Sequence, residues 1–345
     1  MRIVLVFLFT FCFFSLRAQF GGSYTYSYLG MSPSARISGL SGLNISTFDH
    51  DVAFVFQNPA LLNPLMDKRL SLSHALTPGV INQGTVGYAK TLENKNITMG
   101  GGLLYRAYGT FKLTEANGDQ LGTFSGGEYA AQWGASYGVN KLRYGVSVKM
   151  LYSQLESYNS FGMAADFGAV YVDTARLFTA ALVMRNAGTQ FKPFTENNYE
   201  DLPFEIDFAL SKRLKHLPLR ISFTLHDLQS IDIRYDDPNV VSDVNIFGTD
   251  STVTEKKYTV DKIAQHLNIG GEFYFGKNFM LRGGYDHMTR KEMSIDTRRG
   301  LTGFSLGFGL KINKYSIDYG HEFYSQAGGT NHITIAANLN EVFKN

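Results

Sequence analysis

The chain has 345 residues and a formal net charge of +2, with one cysteine, 35 glycines, 20 tyrosines and 27 phenylalanines, and only 18% charged residues. So small a net charge excludes a nucleic-acid binder, which needs a basic surplus to displace counterions, and a lone cysteine excludes a disulfide framework or a cysteine metal site. After the amino terminus no apolar run approaches the roughly 18 residues of a membrane helix, so a membrane-spanning reading must be a barrel.

Arg2, the apolar run 3–14 and the sequence SLRAQ read as a secretory signal covering residues 1–18, cut after Ala18. Cys12 lies inside it, and removing Arg2 and Arg17 leaves the remaining chain formally neutral. Residues 19–68 are expected to form an N-terminal plug, or hatch, packed inside the rest of the chain. Their central part, 32–64, cannot be read as a β-hairpin ladder: Gly39 and Gly42 allow close backbone approach, and Asp49 and Asp51 can cap a brief helix over 52–56. Asn58 and Pro59 then break that helix, and Pro59 suits the start of the next short turn, where a missing N–H costs nothing. The plug motif is therefore Asn58, Pro59 and Ala60.

Residues 69–345 are expected to form an all-β, transmembrane antiparallel barrel of about 14 strands, surrounded by outer-membrane lipid. Leu142, Tyr144, Val146, Val148, Met150 and Tyr152 alternate with Arg143, Gly145, Ser147, Lys149 and Ser153, and the same period of two recurs through the chain. Many segments are longer than the five or six residues of a soluble strand and match the roughly nine to eleven that cross a bilayer. The strands are placed near 69–76, 80–91, 97–108, 124–138, 142–154, 161–172, 176–187, 203–212, 218–228, 264–275, 279–288, 300–311, 315–324 and 331–340. Connections after even-numbered strands are short. Several after odd-numbered strands are long (109–123, 188–202, 229–263 and 288–299), which is the periplasmic and extracellular asymmetry of such barrels and places the long loops outside the cell.

Inward positions carry both signs of charge: Arg143, Lys149, Glu205, Asp207, Arg220, Glu272, Arg282, Asp286, Asp318 and Glu322. An ion-selective lining would favour one sign, so a lattice of cross-strand ion pairs is the preferred reading. Tyr105, Tyr108, Tyr152, Tyr171, Tyr285 and Tyr324 are candidates for interfacial girdles. No catalytic residues are assigned and the chain is read as a non-enzyme. His226 with Asp227, His287 with Asp286 and His321 with Glu322 sit in no catalytic motif, and neighbours on a strand point to opposite faces. Asp49, His50 and Asp51 lack the spacing of a metal site, and no cofactor is expected. The longest loop, 229–263, offers Asp232, Tyr235, Asp236, Asp237, Asp243 and Phe247 as partner contacts, with the aspartates steering a basic surface and the aromatics anchoring it.

The run from Ser34 to Leu61, ending in Asn58, Pro59 and Ala60, resembles the hatch segment of the fatty-acid-transporter-like fourteen-stranded barrels, to which the PorV barrels are related. The C-terminal run GFSLGFGLKINKYSIDYGHEFYSQAGGTNHITIAANLNE, with RYDDPN in the long loop, resembles more narrowly the PorQ family of the type IX secretion system in Bacteroidetes. That resemblance implies a non-enzymatic outer-membrane role in protein secretion: tethering a PorZ-like surface protein, beside other members of the attachment complex that anchors cargo on the cell surface. The alternative is a transporter or channel for hydrophobic small molecules, of the fatty-acid-transporter type.

Overall fold

The computed structural model describes residues 24–77, 79, 81–92, 96–233, 259–294, 300–325 and 328–342. Fourteen antiparallel strands close into a single barrel: β1 Arg69–Leu76, β2 Asn82–Leu92, β3 Ile97–Thr114, β4 Gln120–Val139, β5 Leu142–Leu155, β6 Tyr158–Asp173, β7 Phe178–Lys192, β8 Glu205–Arg213, β9 Leu219–Leu225, β10 Leu267–Phe275, β11 Phe279–Asp286, β12 Phe304–Ile312, β13 Tyr315–Ser325 and β14 Gly328–Asn338. Each strand pairs with its neighbours in sequence, and the seam is closed by β1 against β14, with Arg69 opposite Asn338 and Leu76 opposite Asn331. Closure leaves no unpaired sheet edge along the wall, the condition under which strands can cross hydrocarbon. Among the described residues no helix is long and apolar enough to cross a membrane.

The alternation sorts side chains as the period of two requires. On β5 Tyr144, Val146, Val148 and Met150 are exposed on the outer face, while Ser147 and Lys149 between them are buried. Trp133, Leu306 and Phe308 continue the same apolar outer surface, which is stable against lipid rather than water. Turn residues support the short side: Asn140 and Asn313 each follow a strand with positive φ, 55° and 52°, a region asparagine tolerates better than most residues.

Four local expectations are corrected. The segment 109–123 is not a loop: β3 and β4 run on as a hairpin, with Phe111 opposite Phe124, Thr114 opposite Gln120 and the two phenyl rings stacked at 5.3 Å. Beyond Ala107 the β3 strand has no partner on β2, and before Gly126 the β4 strand has none on β5. The hairpin therefore stands clear of the wall by roughly 20–25 Å at about 3.4 Å per residue. β7 likewise continues to Lys192, beyond the expected end at 187. The third correction concerns the long connections, where two short helices occur: Thr259–Gln265, and His287–Glu292, capped by Asp286 Oδ1 accepting from the Thr289 N–H at 2.7 Å. The fourth concerns Tyr108. The register shift between Ala107 and Thr110 turns its hydroxyl onto the buried, lumen-facing Glu128, so it is not part of an outer girdle.

Leu306 is 58% exposed on the outer face. Leu306→Arg should cost about 2–4 kcal/mol if the position lies near the bilayer midplane, measured by urea unfolding from lipid vesicles. A loss below about 1 kcal/mol would place it at the interface instead.

Candidate functional site

The residues that precede β1 lie against lumen-facing positions around the barrel. Tyr26 OH is 2.6 Å from Ser160 Oγ on β6, and Tyr28 OH donates to the Tyr129 carbonyl on β4 at 2.7 Å. The Ala35 N–H donates to Thr334 Oγ1 on β14 at 2.8 Å, the Ser41 N–H to Ser305 Oγ on β12 at 2.8 Å, and Ser211 Oγ on β8 to the Ser46 carbonyl at 3.0 Å. Farther along, Arg143 Nε on β5 donates to the Leu62 carbonyl at 3.0 Å. These partners sit on six strands spaced around the barrel's circumference.

Short turns compact this segment, each closed by a side chain whose oxygen accepts a backbone N–H: Ser34 from Ile37, Asp51 from Ala53, Asn58 from Ala60 and Asn63 from Leu65. Such caps satisfy donors that a 3₁₀ turn leaves free. Asn58 is fully buried. Its Oδ1 accepts from the Ala60 N–H at 2.9 Å and its Nδ2 donates to the Ile45 carbonyl at 3.1 Å, while Pro59 supplies the first turn position. Gly145 and Gly168 face this turn, and a Cβ on either would collide with the Pro59–Ala60 backbone or the Asn58 amide. The close approach thus requires glycine.

Arg36 provides the main polar anchor. It is 5% exposed, and its guanidinium donates from Nε and Nη2 to Glu272 Oε1 and Oε2 at 2.8 and 3.0 Å, and from Nη1 and Nη2 to Asp49 at 3.1 and 2.7 Å. It lies 5.1 Å from the Phe54 ring centre. Arg220 Nη1 bridges Asp49 and Glu272 at 3.0 and 3.1 Å, and Arg282 continues from Glu272 at 3.2 Å to Asp318 at 2.6 Å. The arrangement is a charge-compensated lattice in which each buried ion has a partner. A second group occupies the other wall: Lys149 with Asp166 at 2.9 Å, and Arg185 with Asp207 at 2.9 Å and with Glu205. The expected lattice is therefore present. Arg36, its central cation, is not among the expected members; its sequence signal is a lone arginine among small and apolar residues, SARIS. Of the two aspartates expected as caps, Asp51 caps and Asp49 is taken by the arginines.

Cavities border this packed region at two places. One of about 610 Å³ lies at the long-loop end, lined by Met31, Leu43, Arg106, His226, Asp286 and Glu322 among others. The other, of about 180 Å³, lies toward the short turns beside Arg36, Asp49, Arg69 and Arg282. At the rim of the first, His226 Nδ1 sits 2.8 Å from Asp227 Oδ2 and Nε2 faces Asp286 Oδ2 at 3.5 Å. The expectation that adjacent residues cannot meet fails here: β9 has already ended, and Asp227 adopts φ 57°. Burial opposes protonation of His226, yet the contacts to Asp227 and Asp286 prevail and push it up to about 10.

Of the expected partner contacts, Asp232 is exposed and pairs with Lys262. Tyr235, Asp236, Asp237, Asp243 and Phe247 lie outside the described residues.

The sequence matches no family model and none of the curated proteins. Among solved structures, the chain is similar to a ΔS2S3 mutant of TodX, described as a monoaromatic hydrocarbon channel, at 13% identity and TM-score 0.50, over 88% of this chain and 97% of that one. It is also matched to an E1M, A116K mutant of a Rh. blastica porin, at 10% identity and TM-score 0.31 over 78% and 96% of the two chains, and to the KdgM porin, at 8% and 0.31 over 78% and 98%. The likeness to TodX is one of fold, that of an outer-membrane β-barrel.

Arg36→Met would leave the buried Glu272 and the largely buried Asp49 short of a cation. It should cost about 3–5 kcal/mol, read as a lower thermal unfolding midpoint in detergent, with Arg36→Lys falling between the two. A loss below about 1 kcal/mol would show that Arg220 and Arg282 suffice.

Proposed function

We propose that this chain is a non-enzymatic outer-membrane barrel whose lumen is plugged by its own N-terminal segment and whose long loops, outside the cell, hold a surface protein. The observation that carries this reading is the set of contacts from residues 26–62 to six different strands, with Arg36, Asn58, Leu61 and Leu62 buried among them. A pore for ions needs a continuous polar path and sites weak enough to leave, whereas this interior is committed to holding the segment in place. The resemblance of its C-terminal run and long loop to the PorQ family supplies the finer role: a type IX secretion component tethering a PorZ-like partner in the surface attachment complex. Asp232, Tyr235, Asp236, Asp237, Asp243 and Phe247 are the proposed contacts.

A second reading is passage of hydrophobic small molecules. It is favoured by the fold shared with a protein described as a monoaromatic hydrocarbon channel and by Met31, Leu43, Ile81, Phe304 and Phe323 along the larger cavity.

Excising residues 236–254 should leave the barrel assembled while the surface partner moves into the medium, followed by cell fractionation and a blot for that partner. Retention on the surface of the loop-deleted strain would reject this loop as the tether. Toluene entry into proteoliposomes faster than into protein-free vesicles would support the second reading in place of the first.

A further inference from the structure

The N-terminal segment joins β1 at the short-turn end, where Asp67 Oδ1 accepts from the Thr91 N–H at 2.8 Å. Its first described residues lie at the opposite end. Tyr24 forms a parallel bridge with Asp201 in the connection between β7 and β8, and the Thr25 N–H donates to the Asp201 carbonyl at 3.1 Å. Tyr26 reaches Ser160, two residues into β6 from the β5–β6 turn. Ser32 Oγ contacts Glu322 toward the end of β13. All of these connections follow odd-numbered strands and belong to the long-loop end. Ser27 and Gly30 are exposed there and line the larger cavity.

We infer that the chain runs through the lumen from the long-loop mouth to the short-turn rim, so that the amino-terminal turn Tyr24–Gly30 is displayed at the same mouth as the long loops. That mouth is then formed jointly by amino-terminal turn, β7–β8 connection and cavity rim, and, resting on the tethering role proposed above, the surface protein held there meets the turn as well as the loops. This threading holds whichever side of the membrane the mouth faces.

The test uses single cysteines in the full chain carrying Cys12→Ser, since Cys12 is its only cysteine. Ser27→Cys and Gly30→Cys probe the turn, and a Cβ at Gly30 meets no atom within 4 Å. Ala116→Cys marks the exposed tip of the β3–β4 hairpin and Lys277→Cys an exposed short turn. With a bulky membrane-impermeant maleimide on intact cells, Ser27→Cys and Gly30→Cys should label together with Ala116→Cys, and Lys277→Cys only once the cells are opened. Labelling of the turn positions only under the conditions that label Lys277→Cys, or under neither, would overturn the inference. If Lys277→Cys labels in intact cells and the other three require opening, the shared mouth stands and the outward orientation of the long loops falls.

Discussion

A buried guanidinium shared between two carboxylates holds the interior together. Arg36 belongs to the N-terminal segment, Glu272 to β10, and Asp49 returns to the segment. An ion removed from water is tolerated only where its partners are close and its hydrogen bonds are complete, so this node fixes the segment's depth and rotation against the wall. Arg220 and Arg282 extend the compensation to β9 and, through Asp318, to β13. A shift of the segment by one turn would strip several ions of their partners at once.

The opposite half of the interior works by shape. Phe54, Val55, Leu61 and Leu62 are fully buried and pack with Leu104, Ala130, Leu151 and Val170 from the wall. Small residues on the strands make room for them, and at Gly145 and Gly168 the backbone itself is the contact surface. Ion pairs on both walls and close packing between them hold the segment in place, which is what favours a scaffold over an open pore.

The barrel is legible in the sequence because its code is local. Alternation at a period of two, strand length and the sorting of short and long connections each depend on residues near in sequence, and Leu142 to Ser153 display all of the first. The inward charges on β9, β10, β11 and β13 follow from the same phase. Less legible is anything set by contacts far apart in sequence. Arg36 meets Glu272 across 236 positions, and its local setting in SARIS does not name that partner. The hairpin beyond Ala107 reads as a loop because its polar and apolar residues, free of lipid and lumen alike, have no single buried face to keep them in phase. At His226 and Asp227 the rule that strand neighbours face apart lapses, because β9 ends at Leu225.

These features make one physical claim: the segment, rather than side chains of the wall alone, closes the lumen. Ion conductance in planar bilayers, compared between the intact protein and one lacking residues 32–64, tests it directly. The account predicts negligible conductance for the intact barrel and stable, ohmic steps for the deleted one. Open-pore steps from the intact protein, or an equally silent barrel after the deletion, would contradict it.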